Sequence, residues 1–135
     1  MAKLSSILLV DDDAAANFIN QLLLRDMVDP GNLLIAQNGE EALSLLVGMI
    51  RNNTSLPALI LLDLNMPVMD GFEFLEAYKE LDLNGMPRPL IAVLTTSMNP
   101  RDVKRVQDLG IFDFINKPLS PKTVTQLIEK SLVKS

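Results

Sequence analysis

The chain has 135 residues, 48% of them apolar and 21% charged, which is typical of one globular domain rather than a disordered segment. Its net charge of −5 disfavours binding to nucleic acid or to an anionic membrane through the whole surface. Because cysteine and histidine are both absent, the sequence excludes disulfides, thiolate or histidine-liganded metals, Ser-His-Asp catalysis and a phosphohistidine of its own. Any bound metal would be a hard, oxygen-liganded cation such as Mg²⁺, Ca²⁺ or Mn²⁺.

Five short apolar runs predict five β-strands. They cover residues 7–10, 33–36, 58–62, 90–94 and 112–116. Runs that are apolar at nearly every position are typical of strands buried on both faces of a parallel sheet. All of them are too short to span a bilayer.

Helical patterns separate the strands, and capping residues mark where each helix begins. The predicted N-caps are Asp13, Asn38, Asp70, Asn99 and Ser120. Two of them precede a glutamate at capping-box spacing, two precede a proline, and Gly110 is predicted to end the fourth helix. The first helix carries Ala15, Phe18, Ile19 and Leu22 at helical spacing. Five strand-helix repeats with short connections predict a doubly wound α/β fold with a parallel sheet, in a single domain over residues 1–135.

Polar residues end four of the predicted strands. Asp11 and Asp12 follow the first strand, Asp63 the third, Thr95 the fourth and Lys117 the fifth. The carboxyl ends of parallel strands share one edge, where open α/β sheets bind ligands, so these side chains should converge. Two like charges ~4 Å apart cost on the order of 4 kcal/mol at an effective dielectric near 20. The cluster therefore predicts a counter-charge, supplied by Lys117 and a divalent cation such as Mg²⁺.

Simpler interpretations exist for some of these residues. Asp13 and Asp70 are adequately explained as N-caps. Asp63 is not placed to cap a helix, because several residues separate it from the next helical pattern. Lys117 alone would be an ordinary solvated lysine, whereas with Pro118 after it, and a possible cis peptide bond between them, it could point into the acidic pocket.

In these motifs the chain resembles the response-regulator receiver domains of two-component signalling, of the CheY-like type. The matching segments are residues 10–12 (Val-Asp-Asp), 62–71 (Leu-Asp-Leu-Asn-Met-Pro-Val-Met-Asp-Gly), 95–97 (Thr-Thr-Ser) and 117–118 (Lys-Pro). The resemblance covers about residues 4–132. It implies a five-stranded parallel sheet of order 2-1-3-4-5 in a three-layer sandwich.

The resemblance also implies the roles of the site residues. Asp63 would be the phosphoacceptor, forming an acyl phosphate. Mg²⁺, or Mn²⁺ in its place, would be held by Asp12, Asp63 and the backbone carbonyl of Asn65, with Asp11 acting mainly through a bound water.

The resemblance further implies residues that would bind the phosphoryl group or respond to it. Thr95 would hydrogen-bond one phosphoryl oxygen and Lys117 would pair with another. Phe114 would rotate into space that Thr95 vacates, although an ordinary apolar strand residue is the simpler interpretation. Thr96 would affect access to the phosphate, and Asn65 and Ser97, two residues after the acceptor and two after Thr95, would influence dephosphorylation.

The function implied is a stand-alone receiver, switched by a phosphoryl group from a histidine kinase or a histidine phosphotransfer protein. Ala14, Ala15 and Ala16 leave room for a histidine-bearing helix, or serve only as helix formers. We expect a cytoplasmic monomer or weak dimer, without nucleic-acid binding, membrane insertion or an output domain after Ser135. It would not act as an enzyme beyond its own phosphorylation and dephosphorylation, and it would signal by protein contact with an undefined target or relay the phosphoryl group.

Two alternatives remain open. A Mg²⁺-dependent phosphohydrolase of the haloacid-dehalogenase group would also form an aspartyl phosphate, but it usually needs an aspartate where Asn65 stands. A degenerate receiver would bind partners without phosphorylation, but the full set of site residues counts against it.

Overall fold

Strands and helices alternate along the chain in the computed structural model, which describes residues 6–95, 99–117 and 119–134. The strands are β1 (Ile7–Val10), β2 (Leu33–Ala36), β3 (Leu59–Asp63), β4 (Leu90–Thr95) and β5 (Asp113–Asn116). The helices are α1 (Ala14–Leu24), α2 (Gly39–Arg51), α3 (Gly71–Lys79), α4 (Pro100–Asp108) and α5 (Pro121–Lys134), with a 3-10 turn at Pro30–Asn32.

All five strands pair in parallel in the order β2-β1-β3-β4-β5, which confirms the predicted fold. In the register of this sheet, Leu9 pairs with Leu61. Side chains alternate between faces, so Asp11 and Asp63, each two residues further on, are at one level and on one face. The register therefore aligns the ends of β1 and β3.

Two hydrophobic layers cover the sheet. One layer joins α2, α3 and α4 to side chains such as Leu62 and Val93, and the other joins α1 and α5 to Leu61 and Leu94. Side chains of β1, β3 and β4 are buried on both faces, which explains their uninterrupted apolar runs. Each fully buried Leu or Ile side chain contributes roughly 1.5–3 kcal/mol to folding.

The fifth strand is shorter and less buried than the sequence suggests. It begins at Asp113, and the aromatic ring of Phe112 is outside it and 66% exposed. Of its four residues only Ile115 is buried. β5 is an edge strand with one neighbour, so part of its surface faces solvent and the prediction of full burial was wrong there.

The predicted helix starts are confirmed. Each N-cap side chain accepts a backbone hydrogen bond from the first turn: Asp13, Asn38, Asp70, Asn99 and Ser120. Asp70 and Glu73 form a complete capping box, whereas Glu41 accepts from the backbone of Gln37 rather than from Asn38. Gly110, at φ +89°, ends α4 in the left-handed conformation that glycine adopts without strain.

α1 packs with the face opposite to the predicted one. The residues of its predicted apolar stripe are all exposed: Ala15, Phe18 (63%), Ile19 (62%) and Leu22 (48%). The buried residues are Asn17, Asn20 and Leu24. The amide of Asn17 donates to the carbonyl of Asp11 at 2.8 Å, so a polar side chain is needed where the helix meets the strand end.

Among the residues that the structure describes, no helix has both the length and the apolar character needed to cross a bilayer.

Candidate functional site

Three carboxylates meet at the carboxyl edge of the sheet. One oxygen each from Asp11, Asp12 and Asp63 lie within 4.8 Å of one another. Asp11 is fully buried, Asp63 is 7% exposed and Asp12 is exposed. The cluster is therefore closed on the protein side and open to solvent next to Asp12.

Local hydrogen bonds hold Asp11 in place. Its backbone N–H donates to the carbonyl of Ala36 at 3.0 Å, and its Oδ1 accepts from the backbone N–H of Asp13 at 3.0 Å. Its carbonyl accepts from Asn17, as described above. Asp12, in contrast, makes no hydrogen bond or ion pair with the described residues. Asp11 is thus a fixed buried anion, and Asp12 is free to bind a ligand from solvent.

Lys117 brings a positive charge into this cluster. Its Nζ lies 3.0 Å from Asp11 Oδ2 and 3.6 Å from Asp63 Oδ2. The backbone N–H of Lys117 donates to the carbonyl of Thr95 at 2.8 Å, which extends the pairing of β4 with β5 by one residue. The lysine therefore points into the acidic pocket and not into solvent. Pro118, and with it the predicted cis peptide bond, is outside the described residues.

Burial and neighbouring charges shift the pKa values of two groups in the cluster. Burial raises the pKa of Asp63 above 3.8, with the negative charge of Asp11 adding to the effect, while the N–H of Asn65 and the Lys117 ammonium oppose it. Burial lowers the pKa of Lys117, but its hydrogen bond to Asp11 and the nearby carboxylate charges outweigh burial and raise it overall above 10.5. The hydrogen bond from Asn65 and the charge of Lys117 therefore do not fully stabilise the ionised form of Asp63.

The donor set fits a hard divalent cation. Three carboxylates and one ammonium leave two uncompensated negative charges when all are ionised, and one divalent ion neutralises them. All three side chains offer oxygen, the ligand atom that Mg²⁺ and Mn²⁺ prefer. The open side at Asp12 leaves room for water or phosphate oxygens, as magnesium sites require.

Thr95 and Phe114 lie on one face of neighbouring strands. Phe114 pairs with Val93, and Thr95 follows Val93 by two residues, so their side chains project to the same side of the sheet. Thr95 is buried at the end of β4, and Phe114 is half-buried against the α2–α4 layer. The two side chains therefore lie on neighbouring strands and one face of the sheet, two residues apart in register. Thr96 and Ser97, predicted to affect phosphate access and lifetime, are outside the described residues.

In the loop after β3, the backbone at Gly71 packs closely against the backbone at Asp63 and Leu64. A Cβ on Gly71 would lie 2.8 Å from the carbonyl oxygen of Asp63, and the N–H of Gly71 donates to the carbonyl of Leu64 at 3.0 Å. Val68 has φ +70° and is 73% exposed, an unusual conformation for a β-branched residue. Glycine at position 71 lets the chain fold back directly beside Asp63.

One residue of the site was missed by sequence reasoning. Asn17 fixes the carbonyl of Asp11, but in the sequence it is a single polar residue in a helix. Asn20, three residues later, lies on the same buried face of the helix. This pair of asparagines indicates a buried polar face only to a reader who already knows which face of the helix packs on the sheet.

A model of the response regulator receiver domain matches residues 7–129. The chain belongs to this family. The receiver is 34% identical over 125 residues to the response regulator Rcp1 of Synechocystis, an alignment that covers 91% of this chain and 83% of Rcp1. It is also 34% identical to an uncharacterized 14.6 kDa protein of Leptolyngbya boryana, covering 92% of this chain and 87% of that one.

Solved structures agree with this assignment. A two-component response regulator from Cytophaga hutchinsonii superposes with a TM-score of 0.84 at 26% identity, covering 97% of this chain and 98% of that one. The bacteriophytochrome response regulator AtBRR gives a TM-score of 0.75 at 30% identity, covering 97% and 94%. The receiver therefore has the CheY-like fold of two-component signalling.

Other relatives are much longer proteins. The chain spans 7% of hybrid signal transduction histidine kinase I of Dictyostelium discoideum and 13% of the sensor histidine kinase GacS of Pseudomonas protegens. What the chain shares with them is the receiver module. Such modules are phosphorylation-driven signalling switches, typically non-enzymatic, that bind Mg²⁺ at an acidic pocket and interact with histidine kinases or phosphotransfer partners.

Proposed function

We propose that this receiver accepts a phosphoryl group on Asp63 from the phosphohistidine of a histidine kinase or a histidine phosphotransfer protein, in a Mg²⁺-dependent reaction. The observation that carries the proposal is the different state of the three carboxylates. Both oxygens of Asp11 are engaged, one by Asp13 and one by Lys117, in a fully buried position. Asp12 is exposed, and no hydrogen bond from the described residues fixes its side chain. This leaves Asp63 as the nucleophile.

Asp63 has the contacts that a carboxylate nucleophile needs. The backbone N–H of Asn65 donates to its Oδ1 at 3.2 Å and orients the group, while Oδ2 lies 3.6 Å from the Lys117 ammonium. The carboxylate oxygen attacks phosphorus, the phosphorus–nitrogen bond of the donor breaks, and the imidazole leaves with the electron pair. The product is an acyl phosphate on Asp63.

Charge neutralisation is the main catalytic need of phosphoryl transfer. Lys117 already lies beside Asp63 and would pair with a phosphoryl oxygen. Held by Asp12, Asp63 and the backbone carbonyl of Asn65, with Asp11 acting through water, a Mg²⁺ ion would neutralise the remaining charge on the phosphoryl oxygens, and Mn²⁺ suits the same ligands.

The switch would run from Thr95 to Phe114. Phosphorylation adds roughly 1.5 to 2 negative charges at the strand end, and the Thr95 hydroxyl would donate to one of the new oxygens. Phe114, on the same sheet face of the neighbouring strand and only half-buried, would then repack toward Thr95. The changed surface of β5 would be read by a partner protein, or the phosphoryl group would be relayed onward.

The exposed stripe of α1 would receive the donor. Asp12 lies two residues before the first residue of this helix, so a partner helix lying on Phe18, Ile19 and Leu22 would come close to the open side of the acidic pocket. The chain has no histidine, so the phosphohistidine must come from another protein. Exposed apolar patches beside a reactive group are typical of protein contact sites.

The test is intact mass after treatment with acetyl phosphate and Mg²⁺. We expect one phosphoryl group on the native chain and none when EDTA replaces Mg²⁺ or in Asp63→Asn. Asp70→Asn, which keeps a capping oxygen outside the pocket, is the matched control and should be labelled like the native chain. An unlabelled native chain would instead favour a receiver that acts without phosphorylation, and steady turnover of small phosphoesters would favour a phosphohydrolase.

A further inference from the structure

A second cavity lies at the opposite edge of the sheet from the acidic pocket. It has a volume of about 680 Å³ and is formed at the amino ends of β4 and β5, between α3, the end of α4 and α5. Its size is within the range of small-molecule sites. We call it the amino-edge cavity, and none of its lining residues belongs to the proposed phosphorylation site.

The charge around the amino-edge cavity is opposite to that of the protein. Lys79, Arg88, Lys130 and Asp113 line it, in a chain whose net charge is −5. Lys130 pairs with Asp113 at 2.5 Å. Lys79 and Arg88 pair with no carboxylate of the described residues. Two positive charges at this cavity are therefore left for an anion.

A buried hydroxyl lies next to one of these cations. Tyr78 lines the cavity, is only 6% exposed, and its hydroxyl finds no hydrogen-bond partner within the described part of the chain. The Arg88 guanidinium carbon is 6.0 Å from the centre of the Tyr78 ring. Burial raises the pKa of Tyr78 and Arg88 opposes this in part, so the hydroxyl stays protonated and can donate. The Arg88 guanidinium thus lies at the cavity wall near the Tyr78 ring, where it can bind an anion.

The rest of the cavity is apolar. Leu75, Leu109 and Ile111 contribute to its walls, and the Phe112 ring is 66% exposed beside them. Aromatic rings stack favourably on other flat rings, and an exposed phenylalanine leaves that capacity unused. The apolar walls therefore fit a flat hydrophobic body, while Arg88 and Lys79 fit an acidic group.

We propose that the amino-edge cavity binds a small aromatic anion, with its ring against Phe112 and Leu109 and its acidic group at the Arg88 guanidinium. Lys79 strengthens the attraction from the rim. This site is independent of Asp63 and would let a soluble aromatic acid be sensed by the same domain that carries the switch.

The experiment uses 8-anilinonaphthalene-1-sulfonate, an aromatic sulfonate whose fluorescence rises in apolar surroundings, with the full native chain. We expect saturable binding that weakens as salt rises, because Coulomb attraction to exposed cations is screened. Backbone amide shifts should concentrate at residues 78–79, 88, 90–91 and 109–113. Arg88→Ala and Phe112→Ala should each weaken binding about tenfold or more, and Arg88→Lys should recover part of it.

Matched controls separate this site from other surfaces. Arg101→Ala removes an exposed cation from the start of α4, and Leu22→Ala removes an exposed apolar side chain from α1, so neither should change the affinity. Circular dichroism checks that every variant is folded. The proposal fails if binding is absent, if Arg88→Ala binds as the native chain does, or if Leu22→Ala abolishes binding. It also fails if the same amides shift with protein concentration alone, since a second copy would then cover the cavity.

Discussion

The ammonium group of Lys117 donates a hydrogen bond of 3.0 Å to the carboxylate of Asp11, a residue 106 positions earlier in the chain. β3 and β4 lie between the strands that carry these two residues. The contact therefore connects the end of β5 to the end of β1 across the site. The Oδ2 atom of Asp63 lies 3.6 Å from the same nitrogen.

Replacing Lys117 by methionine should destabilise the metal-free protein by roughly 2–4 kcal/mol, because it leaves buried carboxylates without their counter-charge. Urea unfolding in EDTA measures the effect. The double variant Lys117→Met with Asp11→Asn should recover part of the loss, since it removes one of the unpaired anions. Equal stability of native chain and single variant would show that the ion pair contributes nothing.

Asp63→Asn should change how stability depends on pH. The pKa of Asp63 is raised above 3.8 in the folded state, so folding is favoured while the group is protonated and that contribution is lost as pH rises through the raised pKa. Above that range, in EDTA, Asp63→Asn should be about 1–2 kcal/mol more stable than the native chain, because it removes a carboxylate charge that burial and, less strongly, the charge of Asp11 disfavour.

Thermal unfolding of both proteins between about pH 3.5 and pH 8, a range that begins near the carboxyl titrations, checks this. Asp26→Asn, a substitution at an exposed aspartate, is the control. The stability difference should grow with pH in EDTA and shrink when Mg²⁺ is added. A difference that falls with pH would contradict a raised pKa of Asp63 in the folded state.

Asp12→Asn should separate metal binding from folding. Asp12 is exposed and has no described partner, so without metal the variant should match the native stability within about 0.5 kcal/mol. With Mg²⁺ at ten times its dissociation constant the native chain should gain about 1.4 kcal/mol, and the variant much less. Calorimetry with and without Mg²⁺ measures both. A variant that gains as much as the native chain would remove Asp12 from the metal site.

Thr95→Val should uncouple phosphorylation from the switch. The two side chains have nearly the same shape, but valine cannot donate a hydrogen bond to a phosphoryl oxygen. In a Phe114→Trp background, beryllofluoride with Mg²⁺ should change the tryptophan fluorescence when Thr95 is present and change it far less with valine. Intact mass should still show labelling by acetyl phosphate. The coupling is contradicted if the fluorescence change survives in the valine variant.

Phe18→Ser with Ile19→Ser should leave stability nearly unchanged, because both side chains are more than half exposed. Transfer from a histidine phosphotransfer protein that labels the native chain should slow at least tenfold, while labelling by acetyl phosphate should keep its rate. The corresponding change at Leu132, an exposed apolar residue of α5, is the control. Equal slowing with both donors would locate the effect in the acidic pocket rather than in docking.

The sequence by itself determined the alternation of strands and helices, the helix starts and the meeting of Asp11, Asp63 and Lys117. Capping and strand burial depend on residues a few positions apart, so local patterns are enough to predict them. The convergence needs only one further premise, that the strands are parallel, because parallel strands bring their carboxyl ends to one edge.

Only the tertiary structure decided which face of α1 is buried, where β5 begins and how the amino-edge cavity is lined. The apolar stripe of Phe18, Ile19 and Leu22 predicts a helix correctly, but this stripe is exposed. The buried face of α1 carries Asn17, Asn20 and Leu24, and the amide of Asn17 donates to the carbonyl of Asp11. The cavity brings Tyr78, Arg88 and Phe112 together from three separate segments. Such features depend on the packing of distant parts of the chain, and no local pattern carries that information.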